Sequence, residues 1–196
     1  MFREFERIIA PNGKICYNFS YCQNDTVLPY RLVMEIIQDT EWTLADTIVW
    51  KKYSATPLST SCRALTRIWE FVWVFVRKSE QDTYTVKREG HIGKNGQRFY
   101  DSVFNLISAP NNDGPTNDLN NATYSSNMVE QLLDIYVKEG MTVYDPFMGT
   151  GTTAVACKKK GINCIGSELS QKQCEYAEER IKKTRIVRSW FDEHGI

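Results

Sequence analysis

The chain has few of the features that mark metalloproteins, membrane proteins and secreted proteins. It contains only two histidines, and its six cysteines form no Cys-x-x-Cys pair, so we expect no zinc cluster. Apolar runs such as 71–76 are short, so neither a membrane span nor a signal peptide is expected. The sequence also lacks internal repeats and low-complexity tracts. We therefore expect a soluble, cytoplasmic protein with free thiols.

The net charge is zero, so the composition as a whole gives no sign of a nucleic-acid binder. The distribution of charge is more informative. From Lys51 to Arg98 there are ten basic and four acidic residues, a local surplus of six. Such a surplus can neutralise several phosphates, although a charge run is also typical of a solvated face. From Glu168 onward the charges alternate in sign, which favours a solvated helix.

The strongest positive signal is a short apolar strand that runs into a glycine loop and then a helix. Val143 and Tyr144 end the strand, residues 145–151 form the loop, and 152–160 continue as a helix. A second strand over 162–167 ends at Glu168, which follows Asp145 by 23 residues. A carboxylate at about that spacing accepts the two ribose hydroxyls of a nucleotide-like cofactor. The pattern predicts a cofactor site in an α/β sheet.

The loop itself narrows the choice of cofactor. No lysine follows Gly151, so the phosphate-binding loop of nucleotide triphosphatases does not fit. The dinucleotide pattern Gly-x-Gly-x-x-Gly fails as well, because its third glycine position holds Ala154. An adenosyl cofactor without phosphates is the better candidate.

The run Asp-Pro-Phe-Met-Gly-Thr-Gly-Thr-Thr at 145–153, followed by Glu168, resembles the S-adenosylmethionine loop of DNA amino-methyltransferases. These enzymes modify adenine N6 or cytosine N4, and the order of parts here is similar to their permuted beta class. The resemblance implies a Rossmann-like α/β sheet with helices on both faces, and S-adenosylmethionine as cofactor. It assigns cofactor binding to Asp145, Pro146, Phe147, Gly149, Thr150, Gly151, Thr152, Glu168, Ala122 and Thr123.

The resemblance covers nearly the whole chain, which we interpret as a single domain over 1–196. Ser125 or Ser126 is predicted to cap a helix over 128–137, in the region where the family carries a His-Pro motif that this chain lacks. Upstream, the expected elements are a helix over 2–9 and another over 31–37, with strands over 15–19, 46–51 and 71–78. The segment 79–119 corresponds to a small target-recognition region, in which we expect a strand over 83–87 and a turn over 90–96. Trp50, Trp69 and Trp73 are interpreted as core residues.

The family's catalytic signature, Asp/Asn/Ser-Pro-Pro-aromatic, is absent from the sequence, so the catalytic residues are unknown. The nearest match, 28–30, has one proline and is better interpreted as the start of a helix. In the family, the strand before that signature lies between those at 143–145 and 15–19. We therefore expect a missing central strand, filled by an upstream segment, a second chain or a homodimer partner.

The resemblance implies methyl transfer to an exocyclic amino group of DNA, as in restriction-modification systems. The alternative is a catalytically inactive cofactor- or DNA-binding regulatory subunit derived from such an enzyme. DNA is the expected partner, and no metal is expected. The residues predicted to contact DNA are Lys51, Lys52, Lys87, Arg88, Lys94 and Arg98.

Overall fold

The computed structural model describes residues 1–20, 25–53, 66, 68–113 and 123–186. The chain divides into a first unit, Met1–Ser108, and a second unit, Ala109–Ile196. None of the helices within the described ranges is both long and apolar enough to cross a membrane.

The first unit is built on a four-stranded sheet, and the fourth strand ends at the boundary between the units. Its elements are α1 (Phe2–Ile8), β1 (Ile15–Phe19), α2 (Leu28–Asp39), β2 (Trp42–Lys52), β3 (Trp69–Arg77), β4 (Gly90–Ile92), β5 (Arg98–Tyr100) and β6 (Leu106–Ala109). The strand order is β1-β3-β2-β6, and β3 is antiparallel to both β1 and β2. Strands β4 and β5 form a separate antiparallel hairpin.

Strand β3 explains why this sheet has a two-sided core. Its sequence alternates aromatic residues with valines, and alternate residues of a strand point to opposite faces. Trp73 and Phe75 are buried on the aromatic face, where α1 and α2 pack with Phe2 and Val33. Valines 72, 74 and 76 are buried on the other face. Burial on both faces makes β3 the centre of the first unit.

Two side chains fix the position of α1. The Arg77 guanidinium donates to the backbone oxygens of Ala10, at 3.0 Å, and Glu6, at 3.2 Å. It thereby satisfies carbonyl groups that the end of a helix leaves without an intrahelical partner. The buried Trp42 indole donates to the Phe2 carbonyl at 3.0 Å. Both ends of this short helix are therefore tied to the sheet.

The second unit contains a parallel β-α-β arrangement. Its elements are α3 (Ser126–Tyr136), β7 (Thr142–Asp145), α4 (Thr152–Lys159), β8 (Asn163–Gly166) and α5 (Gln171–Lys183). Strands β7 and β8 pair in parallel, and α4 forms the crossover between them. The core of this unit is formed by apolar residues of α3, such as Met128 and Leu133, and by the buried residues 154–157 of α4.

Three consecutive lysines hold α4 against its neighbouring helices. Lys158 donates to the Ile181 carbonyl of α5 at 2.6 Å. Lys159 pairs with Glu130 of α3 at 2.8 Å, and Lys160 pairs with Asp134 of α3 at 2.7 Å. This basic run therefore joins helices and is not a free cationic patch.

Most element predictions are confirmed, but the region after β3 was predicted wrongly. No strand forms over 83–87, and a 3-10 helix, Lys78–Thr83, occupies its start. A turn was predicted over 90–96, but its first three residues form β4. The turn itself spans 93–97 and is closed by a hydrogen bond from Gly93 N to Gln97 O (2.8 Å). Strands β5 and β6 were missed. The prediction that Pro29 begins a helix is confirmed by α2.

Several edges of the described sheets have no partner among the described strands, and two of them concern the predicted central strand. Strand β7 pairs with β8, and β1 pairs with β3, and neither has a second partner among the described strands. Both edges are those next to which a missing central strand was predicted. That strand stays a prediction.

Candidate functional site

The carboxylate of Asp145, at the end of β7, is held from three sides. Its Oδ1 accepts from the backbone N–H of Phe147 at 2.9 Å. Its Oδ2 accepts from the Thr153 hydroxyl at 2.6 Å and from the Tyr124 hydroxyl at 3.2 Å. The Tyr124 and Thr153 hydroxyls also lie 2.7 Å apart. Burial, followed by the nearby charge of Asp145, raises the pKa of Tyr124, so that it stays a neutral donor.

The two loop glycines adopt backbone conformations that other residues rarely take. Gly149 has φ of 53° and Gly151 has φ of 84°. Gly151 is also the N-cap of α4, and a Cβ placed there would lie 2.8 Å from the Cβ of Ala177 in α5. The loop therefore depends on glycine for its backbone conformation and for its close approach to α5.

Glu168 follows β8 and connects the end of that strand to the glycine loop. Its Oε2 accepts from Gly149 N at 2.9 Å, and its Oε1 accepts from Ser170 N at 2.9 Å. These backbone bonds, that from Ser170 first, lower the pKa of Glu168, which is therefore ionised at neutral pH. Its negative charge lies beside the loop.

The backbone pairing of β7 with β8 continues into the loop. Ser167 N donates to Asp145 O at 3.0 Å, and Met148 N donates to Ser167 O at 2.9 Å. Gly166 lies directly beneath Met148, since a Cβ at Gly166 would be 2.2 Å from the methionine Cε. These contacts place the two carboxylates, Asp145 and Glu168, at the ends of adjacent parallel strands.

Arg180 of α5 braces the loop from behind. Its Nη1 donates to the Thr150 carbonyl at 2.7 Å and lies 3.4 Å from the Thr152 hydroxyl. Its Nη2 is 3.4 Å from Asp113, which also accepts from Ser126 N at the start of α3 (2.7 Å). The guanidinium thus joins the loop, α5 and the approach to α3.

Four of the other predicted cofactor residues lie in or directly after the same loop, and Thr123 and Ala122 do not. Thr150 and Thr152 are buried, Pro146 is half-buried, and the Phe147 side chain is 69% exposed. Thr123 is half-buried and directly precedes Tyr124. Ala122 lies outside the described residues. The structure therefore brings the loop residues and Glu168 together.

The predicted DNA-binding residues fall into two environments. Lys51 is exposed at the end of β2, whereas Lys52 pairs with Glu70 and lies 4.7 Å from the Trp50 ring centroid. The Glu70 carboxylate therefore neutralises the charge of Lys52. The other four are all exposed and lie in or next to the β4–β5 hairpin, namely Lys87, Arg88, Lys94 and Arg98. Of the three tryptophans predicted to be core residues, Trp50 and Trp73 are buried, whereas Trp69 is only half-buried.

Sequence reasoning missed Tyr124, Thr153 and Arg180. Thr153 is part of the loop motif, and Tyr124 is next to the predicted Thr123, so both were near a signal. No sequence signal pointed to Arg180. It lies 30 residues after Thr150, whose carbonyl it contacts, and it is on a helix that was predicted to be solvated.

With this geometry in view, comparison with known proteins identifies the family. The model of the DNA methylase family N6_N4_Mtase matches residues 1–179. The chain belongs to this DNA methylase family. Among its relatives, the type II methyltransferase M.Cfr9I of Citrobacter freundii is 31% identical over 166 residues, which cover 82% of this chain and 52% of that protein. M.HinfI of Haemophilus influenzae is 26% identical over 187 residues, covering 93% and 50%. The chain thus spans about half the length of these relatives.

Solved structures of methyltransferases share the fold of this chain. The M1.HpyAVI–SAM complex superposes with a TM-score of 0.63 at 24% identity, covering 92% of this chain and 80% of that chain. The cytosine-N4-specific PvuII DNA methyltransferase superposes with a TM-score of 0.66 at 15% identity, covering 87% and 64%. The Rossmann-like α/β fold predicted from the sequence is confirmed.

Proposed function

We propose that this chain binds S-adenosylmethionine in the loop over 145–151 and is the cofactor-binding part of an enzyme that methylates adenine N6 or cytosine N4 in DNA. The observation that carries the proposal is the placement of two fixed carboxylates, Asp145 and Glu168, on either side of a glycine loop without lysine. Family membership and the relatives' description as methyltransferases support it.

The remaining acceptor capacity of Glu168 fits a ribose. A carboxylate has about four acceptor positions, two on each oxygen. Oε2 accepts from Gly149 N and Oε1 accepts from Ser170 N, and the Leu169 backbone also bonds to the carboxylate. These bonds leave part of the acceptor capacity, to which ribose hydroxyls can donate. The carboxylate can therefore hold a vicinal diol without releasing the loop.

Asp145 fits a different part of the same cofactor. Its three donors leave one acceptor position on Oδ1, which suits a single donor such as an ammonium group. Two carboxylates and a lysine-free loop favour a cationic cofactor without phosphates over a nucleotide with phosphates. The two carboxylate acceptors therefore agree with S-adenosylmethionine.

The reaction needs two sets of protein groups, one that binds the cofactor and one that holds the acceptor base. S-adenosylmethionine supplies an electrophilic methyl group on a sulfonium. Asp145 and Glu168 orient the cofactor, and the glycine loop lets the backbone approach it closely. An exocyclic amino nitrogen is a weak nucleophile, so it also needs hydrogen-bond acceptors and a surface on which the flipped base can stack. We propose that a segment or chain outside these 196 residues supplies those groups, beside the open edge of β7.

The alternative function is a regulatory subunit that binds cofactor or DNA without catalysis. The absence of a Pro-Pro-aromatic signature from the sequence favours it. The enzyme and a cofactor-binding regulatory subunit both require this cofactor site. They differ in whether methyl transfer occurs once the missing groups are supplied.

Calorimetric titration with S-adenosylmethionine tests the cofactor site. Glu168→Ala removes the charged acceptor for the ribose, and we expect the Kd to rise about ten- to hundredfold, as for loss of hydrogen bonds to a charged group. Glu175→Ala is the matched control, since Glu175 is an exposed glutamate of α5 bonded to Gln171. Equal affinity in the two variants would contradict the assignment of Glu168.

Transfer of labelled methyl from S-adenosylmethionine to unmethylated DNA tests the reaction. We expect no incorporation by the chain alone and incorporation once a polypeptide with the Pro-Pro-aromatic signature is added. Incorporation by the chain alone would show that its own residues supply the acceptor groups. Failure with such a polypeptide, in a preparation that binds the cofactor, would favour the regulatory subunit.

A further inference from the structure

The β4–β5 hairpin is short, regular and exposed along its length. Residues 90–92 pair with 98–100, and the bond from Asp101 N to Glu89 O (2.9 Å) extends the ladder by one step. The turn is closed by the 2.8 Å bond from Gly93 N to Gln97 O. Every residue of both strands is exposed. The hairpin is thus a two-stranded ribbon with both faces open to solvent.

One face of the ribbon packs on itself and carries negative charge. The rings of His91 and Phe99 stack with centroids 5.9 Å apart. The Phe99 ring also covers Gly93, where a Cβ would lie 2.6 Å from it. Asp101 lies on this face, with Oδ1 3.8 Å from His91 Nδ1, and the register places Glu89 opposite Asp101. We call it the acidic face.

The other face carries positive charge and extended apolar surface. Ile92 is directly opposite Arg98, and Tyr100 packs over Gly90, where a Cβ would be 3.1 Å from its ring. Ile92 is 60% exposed and Tyr100 is 56% exposed. We call it the basic face.

We infer that the β4–β5 hairpin enters the major groove of DNA with its basic face towards the bases. The inference rests on the proposed function, in that DNA is the substrate. The major groove is about 12 Å wide and admits a two-stranded β-ribbon. Arginine donates two hydrogen bonds to guanine, and an apolar side chain can contact a thymine methyl group. Arg98, Ile92 and Tyr100 therefore form a specificity-determining surface, and the two carboxylates of the acidic face point away from phosphate.

Fluorescence anisotropy of a labelled DNA duplex, titrated with the full chain at several salt concentrations, tests this orientation. Arg98→Ala is expected to weaken binding about tenfold, without the loss of about one unit of salt dependence that removal of a phosphate contact would cause. Arg98→Gln keeps the aliphatic stem and should weaken binding similarly. Arg7→Ala is the matched control, because Arg7 is an exposed arginine of α1. Asp101→Asn, on the acidic face, should change the affinity less than twofold.

The outcomes separate this inference from the proposed function. Equal affinities for the Arg98 and Arg7 variants would overturn the inference while leaving the proposed function intact. Undiminished binding to a duplex whose major groove is filled by glucosylated hydroxymethylcytosine would also overturn it. Lack of duplex binding by a preparation that binds S-adenosylmethionine would overturn the hairpin inference but not the cofactor assignment. Arg98-dependent DNA binding without cofactor binding would instead contradict the proposed function.

Discussion

Gly151→Ala should destabilise the second unit through two separable effects. The first is backbone strain, since φ of 84° costs a residue with a Cβ about 1–2 kcal/mol. The second is overlap with α5, because the new Cβ would lie 2.8 Å from that of Ala177. Overpacking of this kind costs about 1–3 kcal/mol. Together they lower the free energy of unfolding by about 2–5 kcal/mol, a large fraction of the stability of a domain.

Two further variants separate those effects in urea unfolding followed by circular dichroism. Gly140→Ala is the matched control, because Gly140 has φ of 80° and a Cβ there would meet nothing within 4 Å. It should lose only the strain energy. Adding Ala177→Gly to Gly151→Ala removes the overlap, so the double variant should be about 1–3 kcal/mol more stable than the sum of the single effects. Equal losses for the Gly140 and Gly151 variants, or strict additivity in the double variant, would refute the reasoning.

Two other predictions concern the carboxylates of the loop. Tyr124→Phe removes the hydroxyl that bonds to Asp145 and Thr153, and it should lower the free energy of unfolding by about 1 kcal/mol in the same urea assay. Tyr144→Phe is the control. It loses a single bond to Ser167 and should lower the free energy of unfolding by less. The bonds from Ser170 and Gly149 lower the pKa of Glu168, so the stability that they contribute is complete above the ordinary glutamate pKa and is lost as pH falls through the lowered value. The Gly149 and Ser170 amide NMR signals should therefore shift together with a midpoint below about 4.3, and a higher midpoint would contradict the lowered pKa.

The loop could be predicted from sequence because its requirements are local. A glycine at φ of 84° and a carboxylate at a strand end leave a signature within a few residues. The residues that support the loop leave none. Arg180 reaches Thr150 only because the chain folds α5 back against the loop, and its neighbours on α5 have the charge pattern of a solvated helix.

The hairpin was missed for a different reason. Strand prediction relies on alternation between buried and exposed positions, which arises when one face of a strand packs on a core. Both faces of β4 and β5 are exposed, and each strand is only three residues long. The glycines and charged residues of this segment are therefore typical of a turn. In contrast, β3 packs both of its faces, and its aromatic-valine alternation made it easy to predict.

The conformation of the loop depends on α5 at three points, all outside the motif. Glu168 bonds to Gly149 and to Ser170, whose side chain caps α5 by accepting from Gln173 N. Ala177 fills the space beside Gly151, and Arg180 holds the Thr150 carbonyl. Positions three apart on a helix lie on one face, so Ala177 and Arg180 press on the same side of the loop. A disturbance of α5 therefore reaches Glu168 and the backbone that it holds, even though the sequence motif itself is unchanged. The glycine motif specifies where the loop is, and α5 determines whether that loop keeps the shape that holds Asp145 and Glu168 at its two ends.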